Sequence, residues 1–148
     1  MNAATQKVEE ARRLLSEAPP KYSAAYDALL AAANGGSPEA QYALGTWHLH
    51  GTYVVRDVMK AVAYLRMAAD QDFPSALFDL AVCYETGVGI EKSDRAAFEL
   101  YLRAALAGDL QASFEVGRCW RFGVGIAADE RLAEVWFEEY ERRGGKEA

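Results

Sequence analysis

The glycine-rich stretch Gly-Val-Gly-Ile occurs twice in this chain of 148 residues, at 87–90 and at 123–126. Closely spaced glycines can hold a phosphate when they follow a strand and have the wider glycine spacing that ends in Gly-Lys-Ser or Gly-Lys-Thr. Neither copy has that complete pattern. Because a phosphate loop is used once whereas a repeated structural unit carries its glycines in every copy, the duplication favours a structural role.

The two cysteines, Cys83 and Cys119, are the candidate thiol ligands or nucleophiles. They are 36 residues apart in the sequence, as are the two glycine stretches, so the two cysteines would occupy equivalent positions of a repeat. Packed helices lie about 8–10 Å apart, whereas a disulfide needs Cα atoms within about 7 Å. We therefore predict two free, buried thiols, as is typical of a reducing compartment. A tetrahedral metal site would need further ligands nearby, and none is expected.

The only histidines, His48 and His50, are the remaining candidates for acid–base chemistry. They are two positions apart on a predicted helix and so point in different directions. The sequence has no His-Glu-x-x-His, no nucleophile elbow and no dinucleotide fingerprint after a strand. We predict no catalytic residue, no metal site and no cofactor. A hydrolase of unknown substrate stays open as the least favoured alternative.

The charge balance narrows the range of partners. The net charge is -6 and the pI is near 5.0, which argues against binding nucleic acid or an anionic membrane surface. The polar start of the chain does not resemble a signal peptide, and no apolar run approaches the ~20 residues of a transmembrane helix. A cytoplasmic location is expected.

Residue types recur along the chain with a period of 36 residues, which indicates a repeat. The matching positions are Ala40, Ala76 and Ala112; Tyr42, Phe78 and Phe114; Leu44, Leu80 and Val116; Gly45, Ala81 and Gly117; His48, Tyr84 and Trp120; and Gly51, Gly87 and Gly123. The four-residue spacing of the first, third and fifth sets is that of one helix face. It predicts a helix A at 38–50, 74–86 and 110–122.

Residues suited to helix ends separate helix A from a second helix in each repeat. Left-handed caps are expected at Gly51, Gly87 and Gly123. Asp57, Ser93 and Asp129 are good N-cap residues, so a helix B is predicted at 58–71, 94–107 and 130–143. The small residues at 45, 81 and 117 would let another helix approach closely.

These units resemble the Sel-one-like repeat (SLR) family, a relative of the tetratricopeptide repeat. The stretches 40–72, 76–109 and 112–145 carry the family's alanine, Leu-Gly, ring, glycine and Ala-Ala positions. The resemblance implies an all-α fold, a right-handed α-solenoid of antiparallel helix pairs with about three full repeats and an N-terminal capping helix pair. It implies one domain over 1–148, divided into a cap and diverged repeat (1–36) and repeats at 37–72, 73–108 and 109–145, the last including a C-terminal cap.

Three departures from the family pattern predict local differences in structure. Tyr53 replaces the second loop glycine of the first repeat, so that loop should bend differently. Pro19 and Pro20 should break the chain after an N-terminal helix at 3–18. The bulky, polar end at Tyr140 and Glu141 is interpreted as a C-terminal cap, which solenoids need for solubility, with a subunit contact as the alternative.

The resemblance implies a protein-binding function, since helix A lines the concave side in the related tetratricopeptide fold. The expected partner-binding residues are Tyr42, Thr46, Leu49, His50, Phe78, Val82, Glu85, Thr86, Phe114, Arg118, Arg121 and Phe122. The rings at 42, 78 and 114 could instead seal neighbouring helices, which is the more common use of such a stripe. Arg118, Arg121 and Phe122 make the third repeat the favoured anchor.

We therefore expect a non-enzymatic interaction module, monomeric or weakly dimeric, that binds a peptide or partner protein in an adaptor or regulatory role. Small free-standing proteins of this kind occur in bacteria, and an acidic solenoid could cover the basic cleft of a toxin. A bacterial immunity protein is therefore the alternative. The partner, the pathway and the completeness of the chain are not defined by the sequence.

Overall fold

Helices and short loops make up residues 2–146, the part of the chain described by this computed structural model. The helices are α1 (Ala3–Ser16), α2 (Tyr22–Asn34), α3 (Pro38–His50), α4 (Val58–Ala69), α5 (Pro74–Thr86), α6 (Asp94–Leu106), α7 (Leu110–Phe122) and α8 (Glu130–Arg142). No strand occurs between residues 2 and 146, and the expected all-α solenoid class of paired helices is confirmed. All six predicted repeat helices begin where expected and end within two residues of the predicted positions.

Capping residues fix the ends of these helices. Helix B of each repeat (α4, α6 and α8) opens with a side chain that accepts a hydrogen bond from the backbone N–H three residues on, and the caps are Asp57, Ser93 and Asp129. Helix A of each repeat (α3, α5 and α7) closes on a glycine in the left-handed region, at Gly51, Gly87 and Gly123, with φ of 71°, 71° and 70°. Both sets of caps are confirmed.

The chain divides into two compact units, and the N-terminal unit ends at Gln71. In it α1 packs on α2, α2 on α3 and α3 on α4. A Cβ on Gly45 would lie 2.9 Å from Leu65 Cδ2, which explains why the position must be small. The core holds Val8, Ala11, Leu14, Ala28, Leu29, Ala32, Leu44 and Trp47.

The C-terminal unit begins at Asp72 and repeats the same packing order, with α5 on α6, α6 on α7 and α7 on α8. A Cβ on Gly117 would lie 2.8 Å from the Phe137 ring, so this small position also admits a side chain from helix B. Leu77, Val116 and Cys119 are fully buried. The division into one domain with four segments stays a prediction.

The loop at Tyr53 differs from the other two by one backbone bond, from Val54 N to Thr52 O at 2.7 Å, but it shares two features with them. Tyr53 has φ 62°, close to the 70° of Gly89 and the 71° of Gly125. The loop closes through the same backbone bond in each repeat, from Asp57 N to His48 O at 2.9 Å in the first and from Asp129 N to Trp120 O at 2.8 Å in the third. The tyrosine is therefore held in a left-handed conformation that bulky residues rarely adopt.

Both ends of the described chain carry their expected elements. The N-terminal helix α1 ends at Ser16 and α2 begins at Tyr22, so the Pro-Pro pair does interrupt the helices. After α8, the buried Tyr140 donates its hydroxyl to Lys146 O at 3.2 Å, and Gly145 lies against its ring. This self-contained arrangement supports the interpretation as a cap, which stays a prediction.

Candidate protein-interaction surface

The expected binding residues of the N-terminal unit lie on α3 and keep part of their surface accessible. Tyr42, Thr46 and Leu49 are half-buried and His50 is exposed. The Thr46 hydroxyl donates to Ala43 O of its own helix at 2.8 Å, so its hydrogen-bonding capacity is partly used. These four residues offer a mixed surface without a carboxylate, guanidinium or ammonium group.

The rings on α5 and α7 make contacts within the C-terminal unit. Phe78 meets the Tyr101 ring edge-on at 5.5 Å, and Phe114 lies 5.3 Å from the rings of Phe137 and of Tyr140. Each contact joins helix A to helix B. Packing therefore accounts for these rings, and the alternative in which the aromatic positions seal neighbouring helices is supported.

Arg118 belongs to an ion network that links α5, α6 and α7. Its guanidinium donates two bonds to the Glu85 carboxylate, at 2.8 and 2.9 Å, and one to Glu115 at 2.6 Å. The buried Tyr101 donates its hydroxyl to the same Glu85 carboxylate at 2.9 Å. The Arg118 and Glu85 side chains retain only 28% and 23% of their accessible surface. Two candidate binding residues, Glu85 and Arg118, thus neutralise each other within the fold.

The electrostatics of this network hold the protons of Tyr101 and Arg118 in place. Burial, and then the hydrogen bond to Glu85, raise the pKa of Tyr101 far above its ordinary value. Burial opposes the charge on Arg118, but Glu115 and Glu85 raise its pKa overall. Tyr101 therefore stays neutral and Arg118 stays charged at neutral pH.

Arg121 also makes its ion pairs within the C-terminal unit. It pairs with Glu130 at 2.8 Å and with Glu134, and its guanidinium carbon lies 4.5 Å above the Phe137 ring. By contrast Phe122, the last residue of α7, is 70% exposed, and Val82 on α5 is exposed too. Thr86 is also exposed. Among the predicted residues of this unit, Phe122, Val82 and Thr86 are thus exposed, whereas the two arginines have carboxylate partners.

The two candidate thiols are buried. Cys83 and Cys119 are free and buried, which confirms the prediction for both thiols. Burial raises the pKa of each thiol, that of Cys119 to about 11. Among residues 2–146 no cluster of three or more His, Cys, Asp or Glu side chains could hold a metal ion. Nor is any helix in that range long and apolar enough to cross a membrane.

Sequence reasoning missed a second accessible region, in the N-terminal unit around the loop after α3. The rings of Tyr22 and Tyr26 each lie about 6 Å from the rings of Trp47 and Tyr53, and the last two lie 6.3 Å from each other. A cleft of about 620 Å³ lies beside them, lined by Tyr26, His48 and residues 54–60. A comparison of the repeats could have found it, because apolar residues stand at 55 and 59 where the second repeat has Glu91 and Arg95.

Helix pairs that repeat every 36 residues, with accessible apolar side chains and no constellation for catalysis in the described range, define a helical-repeat scaffold. The Sel1 repeat model matches residues 38–73, 74–109 and 110–139. The chain therefore belongs to the Sel1 repeat family, whose members serve in general as protein-interaction scaffolds.

Solved structures with this fold include two bacterial proteins. The chain superposes with a TM-score of 0.92 on a protective antigen of uropathogenic Escherichia coli strains that displays an SLR fold, at 26% identity over 96% of this chain and 31% of that one. It matches a Sel1 repeat protein from Oxalobacter formigenes with a TM-score of 0.78, at 29% identity over 81% of this chain and 49% of that one.

Two curated relatives are eukaryotic. DAP3-binding cell death enhancer 1 from Rattus norvegicus is 32% identical over 61% of this chain. Chitin synthase regulatory factor 2 from Schizosaccharomyces pombe is 40% identical over 52% of it. The matched region spans only 17% of the length of either relative, so the likeness concerns the repeats and not the whole of those proteins.

Proposed function

We propose that this chain is a non-enzymatic protein-binding module that holds a peptide or a partner protein on the helix-A surface of its repeats, in an adaptor or regulatory role. The family supports the general class. The names of two curated relatives, one a binding protein and the other a regulatory factor, support the same class. In the related tetratricopeptide fold this surface is the concave one, and we retain that assignment as part of the proposal.

The exposure of Phe122 is the observation that carries the proposal. Phe122 closes α7 with 70% of its surface accessible, although burying a large ring is worth about 2–3 kcal/mol. The neighbouring Arg121 and the more distant Arg118 have intramolecular carboxylate partners. Because charges that already have partners gain little from a new one, we propose that Phe122 and Val82 anchor the partner. The two arginines then form the polar surroundings of this contact.

Charge and thiol chemistry support the rest of the proposal. The net charge of -6 favours a protein partner over nucleic acid, and two free thiols fit a reducing compartment such as the cytoplasm. A monomer or weak dimer remains our expectation for the free protein.

The test is affinity capture with a matched pair of variants. Val82→Glu combined with Phe122→Glu should abolish capture of the protein that the wild-type chain retains, because a carboxylate cannot be buried in an apolar contact. Leu106→Glu, which places the same charge on another exposed apolar residue of the same unit, should leave capture unchanged. Thermal unfolding verifies that both variants fold. Undiminished capture by the folded double variant would remove this surface from consideration.

A further inference from the structure

The loop and first turn that join α3 to α4 have an apolar surface in place of a charged one. Val55 is 88% exposed and Met59 is 74% exposed. In the second repeat the equivalent positions carry Glu91 and Arg95, and in the third Ala127 and Arg131. Helices α6 and α8 also have an acidic residue in their first turn, whereas α4 has none. The acidic group at the start of α4 is therefore its cap, Asp57, and the first turn itself has no carboxylate.

The backbone beside this surface is strained. Tyr53 has φ 62° where the second and third repeats have glycine, a conformation that costs a non-glycine residue roughly 1–3 kcal/mol. Its ring stacks on Tyr22 with a centroid distance of 6.2 Å and an interplanar angle of 9°, and meets Tyr26 at 5.9 Å. Strain of this kind persists where the surroundings enforce it, and it concentrates at functional sites.

A buried polar group lines the neighbouring cleft without a partner. His48 is 4% exposed, and its ring nitrogens have no hydrogen bond of good geometry to any residue between 2 and 146, although the Val55 backbone is near enough to act on its pKa. It lines the cleft of about 620 Å³ together with Tyr26 and residues 54–60. This volume lies in the range of small-ligand clefts, roughly 300–1,000 Å³. An unsatisfied buried donor or acceptor is unfavourable by about 1–3 kcal/mol, which a ligand that bonded to it would recover.

The rim of the cleft is cationic. Arg56 donates from Nε to Leu49 O at 2.9 Å, and neither Arg56 nor Lys60 has a carboxylate within ion-pair distance in the described chain. Asp57 is occupied as the cap of α4, accepting from Lys60 N at 3.0 Å. In a protein with a net charge of -6, two uncompensated cations beside exposed apolar side chains are complementary to an occupant that is both acidic and apolar.

We propose that this cleft, bounded by Tyr26, His48, Val55, Arg56, Met59 and Lys60, is a docking site for an acidic peptide segment with one large apolar side chain. The apolar side chain enters between Val55 and Met59, its neighbouring carboxylates lie against Arg56 and Lys60, and a polar group of the peptide bonds to His48. A symmetric dimer through this patch is disfavoured because it would place the cations of one copy against those of the other. None of these six residues belongs to the set assigned to the helix-A surface of the proposed function.

Fluorescence polarisation with defined peptides tests the specificity. The probe is a fluorescein-labelled peptide in which one Phe is flanked on both sides by Asp and Glu, and its controls have Lys flanks or a central Ala. The acidic Phe peptide should bind saturably and at least about tenfold more tightly than either control. Absence of saturable binding, or equal binding of the Lys-flanked peptide, would overturn the proposal.

Substitutions that introduce the residues of the second repeat test where the peptide binds. Val55→Glu with Met59→Arg installs the second repeat's residues at solvated positions and should weaken the acidic Phe peptide at least about tenfold. Lys60→Glu should weaken it about threefold, and Leu106→Glu should have no effect. Methyl NMR should show peptide-induced shifts at Val55 and Met59. Unchanged affinity of the double variant would refute the site.

Two further measurements separate this site from the alternatives. The Val82→Glu, Phe122→Glu variant should bind the acidic Phe peptide as tightly as the wild type does. A failed test of the helix-A surface therefore does not count against the cleft, and a failed test of the cleft does not count against the helix-A surface. Sedimentation velocity should show that wild type and the Val55→Glu, Met59→Arg variant have the same mass. A wild-type dimer that this variant dissociates would assign the surface to a second copy of the chain and overturn the proposal.

Discussion

The loop at Tyr53 and the loop at Gly125 each have a left-handed residue at the same position of the repeat, but the two positions have opposite side-chain requirements. Both residues are left-handed, with φ of 62° and 71°. A Cβ at Gly125 would lie 2.1 Å from Asp94 O, at the start of α6, so only glycine fits there. At the equivalent place in the N-terminal unit, Tyr53 stacks its ring on Tyr22 at the start of α2. The position in the repeat therefore determines the left-handed backbone. The helix that lies against the loop, α6 for Gly125 and α2 for Tyr53, determines whether a side chain fits there.

The same comparison holds for the residues that line each junction. Tyr26 meets His48 edge-on at 6.4 Å between α2 and α3, and Phe98 meets Trp120 edge-on at 5.6 Å between α6 and α7. These pairs occupy equivalent positions of the repeat. An imidazole is much smaller than an indole, and the cleft of the N-terminal unit lies at His48. One junction is filled by rings, whereas the other keeps space and an unsatisfied polar group.

The largest expected effect comes from exchanging the loop residues. Gly125→Tyr should destabilise the protein by at least about 3 kcal/mol, because it adds left-handed strain to a clash with the backbone at Asp94. Tyr53→Gly should change stability by less than about 1 kcal/mol, since relief of strain offsets the lost ring contacts. Urea denaturation measures both. Similar losses for the two variants would contradict the difference between the loops.

The ion network of the C-terminal unit should give the next largest effect. Arg118→Met leaves two partly buried carboxylates without their cation and should cost about 2 kcal/mol. At the equivalent position of the first repeat, Thr46→Ala should cost less than about 0.5 kcal/mol. Chemical denaturation of each variant checks the pair. A neutral Arg118→Met would show that the network does not stabilise the fold.

The pH dependence of stability should report on His48. Burial lowers the pKa of His48 below its ordinary value, Lys60 adds to the shift, and Asp57 acts in the opposite direction. The unfolded chain therefore takes up the proton first as pH falls, so the stability is fully present above about 6.5 and is lost below it.

The stability should therefore fall between pH 7 and pH 5. His48→Phe should remove the corresponding part of the pH dependence, whereas His50→Gln, at an exposed position, should leave it in place. Thermal unfolding at several pH values provides the comparison. An identical pH dependence for wild type and His48→Phe would exclude His48 as its source.

The smallest effect concerns position 113, which is equivalent to position 41. Gln41 donates to Ala33 O at 3.2 Å and accepts from Gln71 at 2.9 Å, whereas the buried Ser113 Oγ has no hydrogen-bond partner in the described residues. Ser113→Ala should therefore be neutral or stabilising by about 0.5 kcal/mol, and Gln41→Ala destabilising. A clear loss of stability in Ser113→Ala would indicate a partner for the hydroxyl.

Helix bounds could be predicted from the sequence because their signals are local. Gly51, Gly87 and Gly123 mark the ends of helix A, and the caps at 57, 93 and 129 mark the starts of helix B. Left-handed φ at the second loop position could not be predicted for Tyr53, because the ring contacts that hold it come from another helix.

The candidate site was harder to predict for the same reason. Arg118 and Glu85 were each predicted to be accessible. They are 33 positions apart, which is one repeat of 36 residues minus about one helical turn, and the packing of α5 against its neighbours brings their side chains together. Such pairing depends on how consecutive helices pack, which composition and periodicity do not reveal. The apolar surface at 55 and 59 did leave a signal, the loss of charge relative to the sister repeats.

A loop exchange tests most directly the claim that the first repeat's loop is specialised for binding while the third repeat's loop is structural. In this variant residues 53–59 are replaced by the sequence of residues 125–131, and the acidic Phe peptide is titrated by fluorescence polarisation. We expect cooperative unfolding to be retained and peptide affinity to fall at least about tenfold. A folded exchange variant that binds the peptide like the wild type would contradict the claim.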